Sequence, residues 1–446
     1  MKRVAVIGSG PVGALIAHEL LNTGRFKVNL FDQAQTLSEI SNPSDLQSNR
    51  LQLSGNALGR DTGNPRRLVA SEIGGFSKVW GGTWDQLTEP DDKNWETAYE
   101  SVDKLVSLSF DSRSDLKREE HSCQCQLQRE LSNFTYSSEK FTIAFSVSKL
   151  LLSRKERKEN TEYFDSWCST QLLDLISNHP NLVFSKEKKL ISFQNEKNSV
   201  TLNFEGYREN FDILVLAAGP IGTAEIICRS NPKISLRLQD TALAYSVALR
   251  LPKRSKGKSL GFSHISSKLT DENNSVLLYS QFYTHMYENK LLITKRIPHF
   301  FKQMTSTVLY LLNPFLIVIL HYASADISAH LNITYSNKQD CVITQDGKFL
   351  NYYKFFRLTR YLVKPLRTKG IFLIRLLFLR VRAGHSFHSG AAINPPWDES
   401  GKLKSHINVF VAGALALSRI DPGPITKTSM AQAFLLAKEI IKQTKV

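Results

Sequence analysis

Residues 4–13, Val4-Ala5-Val6-Ile7-Gly8-Ser9-Gly10-Pro11-Val12-Gly13, with Val28-Asn29-Leu30-Phe31-Asp32 following, decide the reading of this chain. Val4 to Ile7 is an apolar run of the length that forms a buried parallel strand, and Gly8, Gly10 and Gly13 come after it at G-x-G-x-x-G spacing. Gly8 permits the tight turn. Gly10 lets a pyrophosphate approach bare main chain, and Gly13 lets the next helix pack close to the strand. That helix is expected from about Pro11 to Leu21, stopping near Gly24, and its start offers free N–H groups and the positive end of the helix dipole. Asp32, at the end of the second strand, is placed to take a ribose hydroxyl. Glycine spacing alone also suits a turn in a cofactor-free α/β protein. The strand before it, the helix after it and the acid at the expected distance favour a dinucleotide held by Gly8, Gly10, Pro11, Val12, Gly13 and Asp32.

A chain of 446 residues is long for one core and suggests two domains, although a discontinuous path can still make one compact body. The 42% hydrophobic content and the absence of repeats or low-complexity tracts fit a folded globular protein. Its five cysteines are odd in number and scattered, which does not suggest a disulfide framework and suits a reducing compartment. His121, Cys123 and Cys125 invite a metal reading but lack a second Cys/His pair nearby, so no metal is expected. The first strand begins right after Met1-Lys2-Arg3, leaving no signal peptide ahead of it and a cytoplasmic location as the default expectation.

The net charge of +16 is unevenly spread. Lys253-Arg254-Ser255-Lys256-Gly257-Lys258 is a basic run, and residues 354–382 carry Lys354, Arg357, Arg360, Lys364, Arg367, Lys369, Arg375, Arg380 and Arg382 among Tyr, Phe, Leu and Ile. This mixture suits contact with an anionic membrane surface, an acidic substrate, or simply a solvated face. No nucleic-acid reader motif accompanies it, and no nucleic-acid partner is expected. Val308 to Leu320 is strongly apolar but shorter than the roughly 20 residues of a spanning helix, and Asn313-Pro314 interrupts it. It reads as buried or interfacial.

Further along, Gly74-Gly75-Phe76-Ser77-Lys78-Val79-Trp80-Gly81-Gly82 brackets aromatics with glycine pairs, which suits either close approach to a flat or phosphorylated ligand or a turn around a core Trp. The stretch from Ser109 to Tyr163 is rich in Ser, Glu, Lys and Arg with weak periodicity and reads as an excursion or lid. Leu182-Val183-Phe184 and Val200 to Phe204 read as strands. Phe211 to Pro220 is a buried strand ending in a small-residue turn, with a helix after it over about Gly222 to Arg229. Alternation in Val276 to Phe282, Leu331 to Tyr335 and Cys341 to Thr344 suits an antiparallel sheet. The end reads as strand (Asn408 to Gly413), loop and helix, with Met430, Ala433, Phe434, Ala437, Ile440 and Ile441 at helical spacing.

Four blocks together resemble the glucose-methanol-choline family of flavin oxidoreductases, in particular bacterial relatives associated with polysaccharide biosynthesis. They are Gly8 to Asp32, Gly74 to Gly82, Leu216 to Thr223, and Gly384-His385-Ser386-Phe387-His388-Ser389-Gly390 with Asn408 to Ala433. They occur in the family's order and span almost the whole chain. The resemblance implies an α/β fold: a Rossmann-type, glucose-oxidase-like FAD-binding domain built from residues 1–108, 165–240 and 383–446, with 109–164 as excursion or lid. An inserted, largely antiparallel α+β substrate domain would occupy 241–382. It extends the cofactor contacts to Gly75, Ser77, Trp80, Gly81, Ala218, Gly219, Gly413, Ile425 and Thr426. It also places a histidine facing the flavin at His388, with His385 the second choice; imidazole titrates in the range useful for taking the proton of an alcohol.

Three positions depart from the family pattern. Where it offers a second His or Asn before the last helix, this chain has Gly423-Pro424-Ile425-Thr426, leaving Thr426 as the nearest polar candidate. The Asp often found after the strand at Val411-Ala412-Gly413 is missing. Val79 stands where relatives with covalent flavin carry a histidine, so the FAD is expected to be non-covalent. The leading expectation is an FAD-dependent alcohol dehydrogenase or oxidase acting on a sugar or glycan hydroxyl, its electron acceptor unknown. A second is a flavin reductase acting on a lipid-linked substrate at the membrane surface, in peripheral contact with the inner face. A third is a non-catalytic dinucleotide-binding relative.

Overall fold

The computed structural model describes residues 1–34, 73–78, 82–86, 93–109, 126–156, 162–239, 241–250, 263, 265–284, 315–336, 340–346, 351–380, 390–406 and 408–444. The first strand, Lys2–Ile7, lies at the centre of a five-stranded, wholly parallel sheet. Phe26–Phe31 and Ile213–Leu216 flank it, with Leu182–Ser185 and Val409–Val411 at the two edges. Alternate residues of the first strand feed two cores, as the period of two along a strand requires. Val4 and Val6 face helices Pro11–Leu21, Lys93–Ser109, Thr170–Ile176 and Thr426–Gln443, while Ala5 and Ile7 face helix Gly219–Ser230 and a three-stranded meander over residues 190–211. Leu15, Ile16 and Leu20 of the first helix are fully buried, each contributing about 2 kcal/mol by loss of apolar surface.

The strand, turn and helix read from residues 4–21 stand as expected, with the helix over Pro11–Leu21. The run beginning at Phe211 divides at Asp212. Its N–H donates to the Arg3 carbonyl at 3.0 Å and its carboxylate accepts the Arg3 N–H at 2.6 Å, which separates the antiparallel strand Arg208–Phe211 from the parallel strand Ile213–Leu216.

A seven-stranded antiparallel sheet forms the second body, in the order Ile371–Arg380, Ala242–Arg250, Leu316–Ala323, Val276–Thr284, Ile265–Thr270, Phe141–Val147, Thr135–Ser138. Two of its strands therefore come from the stretch that reads as an excursion. Ile143 and Phe145 alternate inward there and pack with Ile265 and Phe282. The apolar run at Val308 to Leu320 ends in the central strand Leu316–Ala323, buried at every position, as a strand covered on both faces must be; residues 308–314 lie outside the described set. Helix Tyr352–Thr368 covers one face through Phe355, Leu362 and Leu366. The other carries Leu243, Tyr279, Tyr283, Val318, Leu320 and Tyr322. Among the described residues no helix is long and apolar enough to cross a membrane.

Candidate dinucleotide and substrate site

The turn after the first strand is tight enough that two of its glycines have no room for a side chain. Gly8 has a φ of +106°, and a β-carbon on it would stand 2.4 Å from the Ala217 carbonyl oxygen; one on Gly13 would stand 1.9 Å from the Gly8 oxygen. Gly10 differs. A β-carbon there would meet nothing within 4 Å, so its Cα faces open space at the start of helix Pro11–Leu21, whose first N–H groups lack helical partners. The second strand-turn-helix unit closes on the first: the Ala217 N–H donates to the Ile7 carbonyl at 2.8 Å, and Ala218 and Gly219 begin the following helix beside it.

The Gly74 block returns to this turn. A β-carbon on Gly75 would lie 3.6 Å from the Gly10 Cα, and the Gly74 N–H donates to the Ser9 hydroxyl at 3.1 Å. The Ser9 hydroxyl in turn donates to Asp32 Oδ2 at 2.5 Å, and the Ser9 N–H donates to the same oxygen at 2.7 Å. Asp32 Oδ1 accepts the Ala34 N–H at 2.8 Å. Ser77 is buried; it donates to the Gly74 carbonyl at 2.6 Å and accepts the Ser169 N–H at 3.0 Å. The Ser169 hydroxyl lies 3.2 Å from the Ser9 carbonyl and 3.1 Å from that of Gly74. Three distant segments are thus locked around one loop by short hydroxyl bonds, and Ser9 and Ser169 are members that no sequence pattern singled out.

The C-terminal segment reaches the same place from the other side. A β-carbon on Gly413 would meet Val12 Cγ2 at 2.9 Å, and the Gly413 N–H donates to Gln432 Oε1 at 2.7 Å. The last helix starts at Thr426, half-buried, after the buried Ile425. Its next residue, Lys427, is buried and bonds Asp103 Oδ2 at 2.9 Å, while Trp84 Nε1 donates to Asp103 Oδ1 at 2.6 Å. Burial of Asp103 works to raise its pKa, but the hydrogen bonds from Lys427 and Trp84 and the Lys427 charge outweigh it and hold the carboxyl below its ordinary value.

Past the second glycine block, Thr83 and Asp85 meet the tyrosine-bearing face of the antiparallel sheet. Gln281 Nε2 donates to Thr83 Oγ1 at 3.1 Å, and Gln281 Oε1 accepts from Tyr283 at 2.7 Å and Tyr322 at 3.3 Å. Tyr279 donates to Asp85 Oδ2, which also accepts from Ser266 at 3.2 Å. Burial pushes the phenols of Tyr279, Tyr283 and Tyr322 up, so all three stay protonated donors. Tyr279, Gln281 and Tyr283 share a strand face at period two, a signal the sequence does carry.

Of the expected site residues, Gly8, Gly10, Pro11, Val12, Gly13, Asp32, Gly75, Ser77, Ala218, Gly219 and Gly413 gather around the first turn or the segments that touch it, and Ile425 and Thr426 open the last helix. Trp80, Gly81, His385 and His388 lie outside the described residues, as do Val79 and the His121, Cys123 and Cys125 cluster. No group of His, Cys, Asp and Glu among the described residues is arranged to hold a metal ion.

The chain is similar in fold to pyridoxine 4-oxidase from Mesorbium loti. The match has a TM-score of 0.58 and covers 99% of both chains at 13% sequence identity. The mixed α/β architecture expected of a glucose-methanol-choline oxidoreductase is therefore the one found. No protein-family model matches the sequence, and no curated protein matches it. Solved chains of matching shape number 587, so the shape alone says little about substrate.

Proposed function

We propose that this protein is an FAD-dependent oxidoreductase of the glucose-methanol-choline type that oxidises a CH–OH group. The observation that carries the reading is the convergence of Gly10, Gly75 and the Val12–Gly413 contact at the start of one helix. A dinucleotide needs such a place: bare main chain at Gly10 for the pyrophosphate, N–H groups aimed outward, and a carboxylate at Asp32 beside the loop. These residues fit FAD, and bound there its isoalloxazine ring supplies the acceptor for hydride from the carbinol carbon.

The chain's own residues supply the rest. The first turns of helices Pro11–Leu21 and Thr426–Gln443 stabilise negative charge near their N-termini. His388 takes the proton of the substrate hydroxyl, and Thr426 holds that hydroxyl by a hydrogen bond; both roles come from the family resemblance. The buried tyrosine-bearing sheet face backs Thr83 through Gln281, its phenols held by Asp85 and Gln281, and so fixes the segment that carries Thr83 and Asp85 past the second glycine block. A hydroxyl on a sugar or glycan is the substrate class we assign. Anaerobic addition of sugar alcohols and polyols to the FAD-loaded protein tests it. Bleaching of the flavin band by members of that class is expected; bleaching by none of them, with the protein still holding FAD, would reject the substrate assignment.

A further inference from the structure

Helix Tyr352–Thr368 is 17 residues long, about 25 Å at the α-helical rise, and among the described residues its buried apolar side chains lie on one face. Phe355, Thr359, Leu362 and Leu366 are buried at i, i+4, i+7 and i+11, and Phe355 meets the His321 ring edge-on with centroids 5.7 Å apart. The opposite face repeats that spacing from Tyr353 through Arg357, Arg360, Lys364 and Arg367, all exposed. Lys364 Nζ lies 5.7 Å from the Tyr136 ring centroid. Arg357, Arg360 and Arg367 make no ion pair with any described residue.

An ordinary solvated helix face mixes charges of both signs. This one does not. Between Asp346 and Asp398 the sequence has no Asp or Glu, and the turn of the adjoining hairpin adds Glu139 and Lys140, which cancel. Large apolar side chains accompany the cations: Tyr353 is 74% exposed, Phe356 42%, and Phe372 on the following strand 42%. A row of cations alone would suit any polyanion. Aromatic rings partly exposed beside them favour a partner that is apolar just beneath an anionic layer.

We propose that this face docks the protein on an anionic phospholipid bilayer. Arg357, Arg360, Lys364 and Arg367 meet headgroup phosphates, and Tyr353 and Phe356 enter the interfacial layer. The attachment is peripheral, through one helix face, and does not depend on the cofactor or the chemistry proposed above.

Co-sedimentation of the full chain with vesicles tests it. Binding is expected to mixed phosphatidylcholine and phosphatidylglycerol vesicles at low salt, and not to phosphatidylcholine alone; it should fall as salt is added. Replacing Arg357, Arg360 and Arg367 together by Gln should weaken binding roughly a hundred-fold, from about 1 kcal/mol per cation near such a surface. Tyr353→Ser with Phe356→Ser should remove the part that survives high salt. All these side chains are exposed, so thermal melts matching the parent confirm that each variant is folded. The proposal is overturned if the parent protein ignores anionic vesicles at low salt, or if the triple Gln variant binds them as well as the parent. It is equally overturned if the three arginines retain an RNA or acidic polypeptide that vesicles do not displace.

Discussion

Gly75 lies against Gly10: a β-carbon on the first would stand 3.6 Å from the Cα of the second, although 64 intervening positions separate them in the chain. Two glycine blocks that look independent in the sequence thus form one surface. The Ser9 hydroxyl, which accepts from Gly74 and donates to Asp32, ties that surface to the end of the second strand.

Gly10 and Gly13 should respond to alanine in opposite ways. In Gly13→Ala the new methyl would fall 1.9 Å from the Gly8 oxygen, and the backbone must yield, at a cost of about 3 kcal/mol. In Gly10→Ala it meets nothing within 4 Å, so stability should stay within about 0.5 kcal/mol while FAD affinity drops at least about ten-fold. Urea titration and FAD binding by fluorescence quenching check the pair. Equal losses of stability in both variants would contradict the open cradle at Gly10.

Asp103 joins the glycine block to the last helix through Trp84 and Lys427. Because its folded pKa lies below the unfolded value, its contribution to stability is present above the unfolded carboxyl pKa and fades as pH falls through the folded one. Asp103→Asn should therefore cost on the order of 2 kcal/mol at neutral pH, as charged hydrogen bonds do. The gap from the parent should close in strong acid. Urea midpoints across pH measure it, and a gap independent of pH would show that the carboxylate charge plays no part.

His321 is fully buried between the hydroxyls of Ser246, 2.7 Å from Nε2, and Ser280, 2.8 Å from Nδ1. Burial pushes its pKa down to about 3, so the ring stays neutral in the fold while the unfolded chain takes up a proton below about 6.5. Stability should be lost as pH falls between those values, at up to roughly 1.4 kcal/mol per pH unit from this one group. His321→Gln should lack that slope. A parent and variant with parallel pH profiles would mean that the ring charges while folded.

How much of this was legible follows from where the determinants sit. Helix Pro11–Leu21 and its flanking strands are encoded within thirty-odd consecutive residues, and the structure places them as read. Ser169 could not be found that way, since it meets Ser9 across 160 positions and a lone serine carries no pattern. Phe141–Val147 was legible but hidden: Ile143 and Phe145 alternate properly, yet the polar composition around them argued for an excursion. The tyrosine face is similar. Its period-two pattern marks a strand, but only the hydrogen bond from Gln281 to Thr83 shows which face meets the glycine block.

For the chemistry, His388→Ala should leave FAD bound and slow anaerobic flavin reduction by about 10²- to 10⁴-fold. Thr426→Ala should do less, and His385→Ala less still. Stopped-flow reduction of the three variants separates the roles. A normal rate in His388→Ala with slow reduction in His385→Ala would move the base to His385.

The account rests on FAD being held at the Gly10 turn, and the absorption spectrum of the purified protein tests that most directly. A flavin spectrum is expected, taken up again on adding FAD to stripped protein, needing more added FAD in Gly10→Ala, and released into the supernatant by acid because Val79 offers no histidyl link. Protein that is colourless as isolated and takes up no added FAD would contradict it.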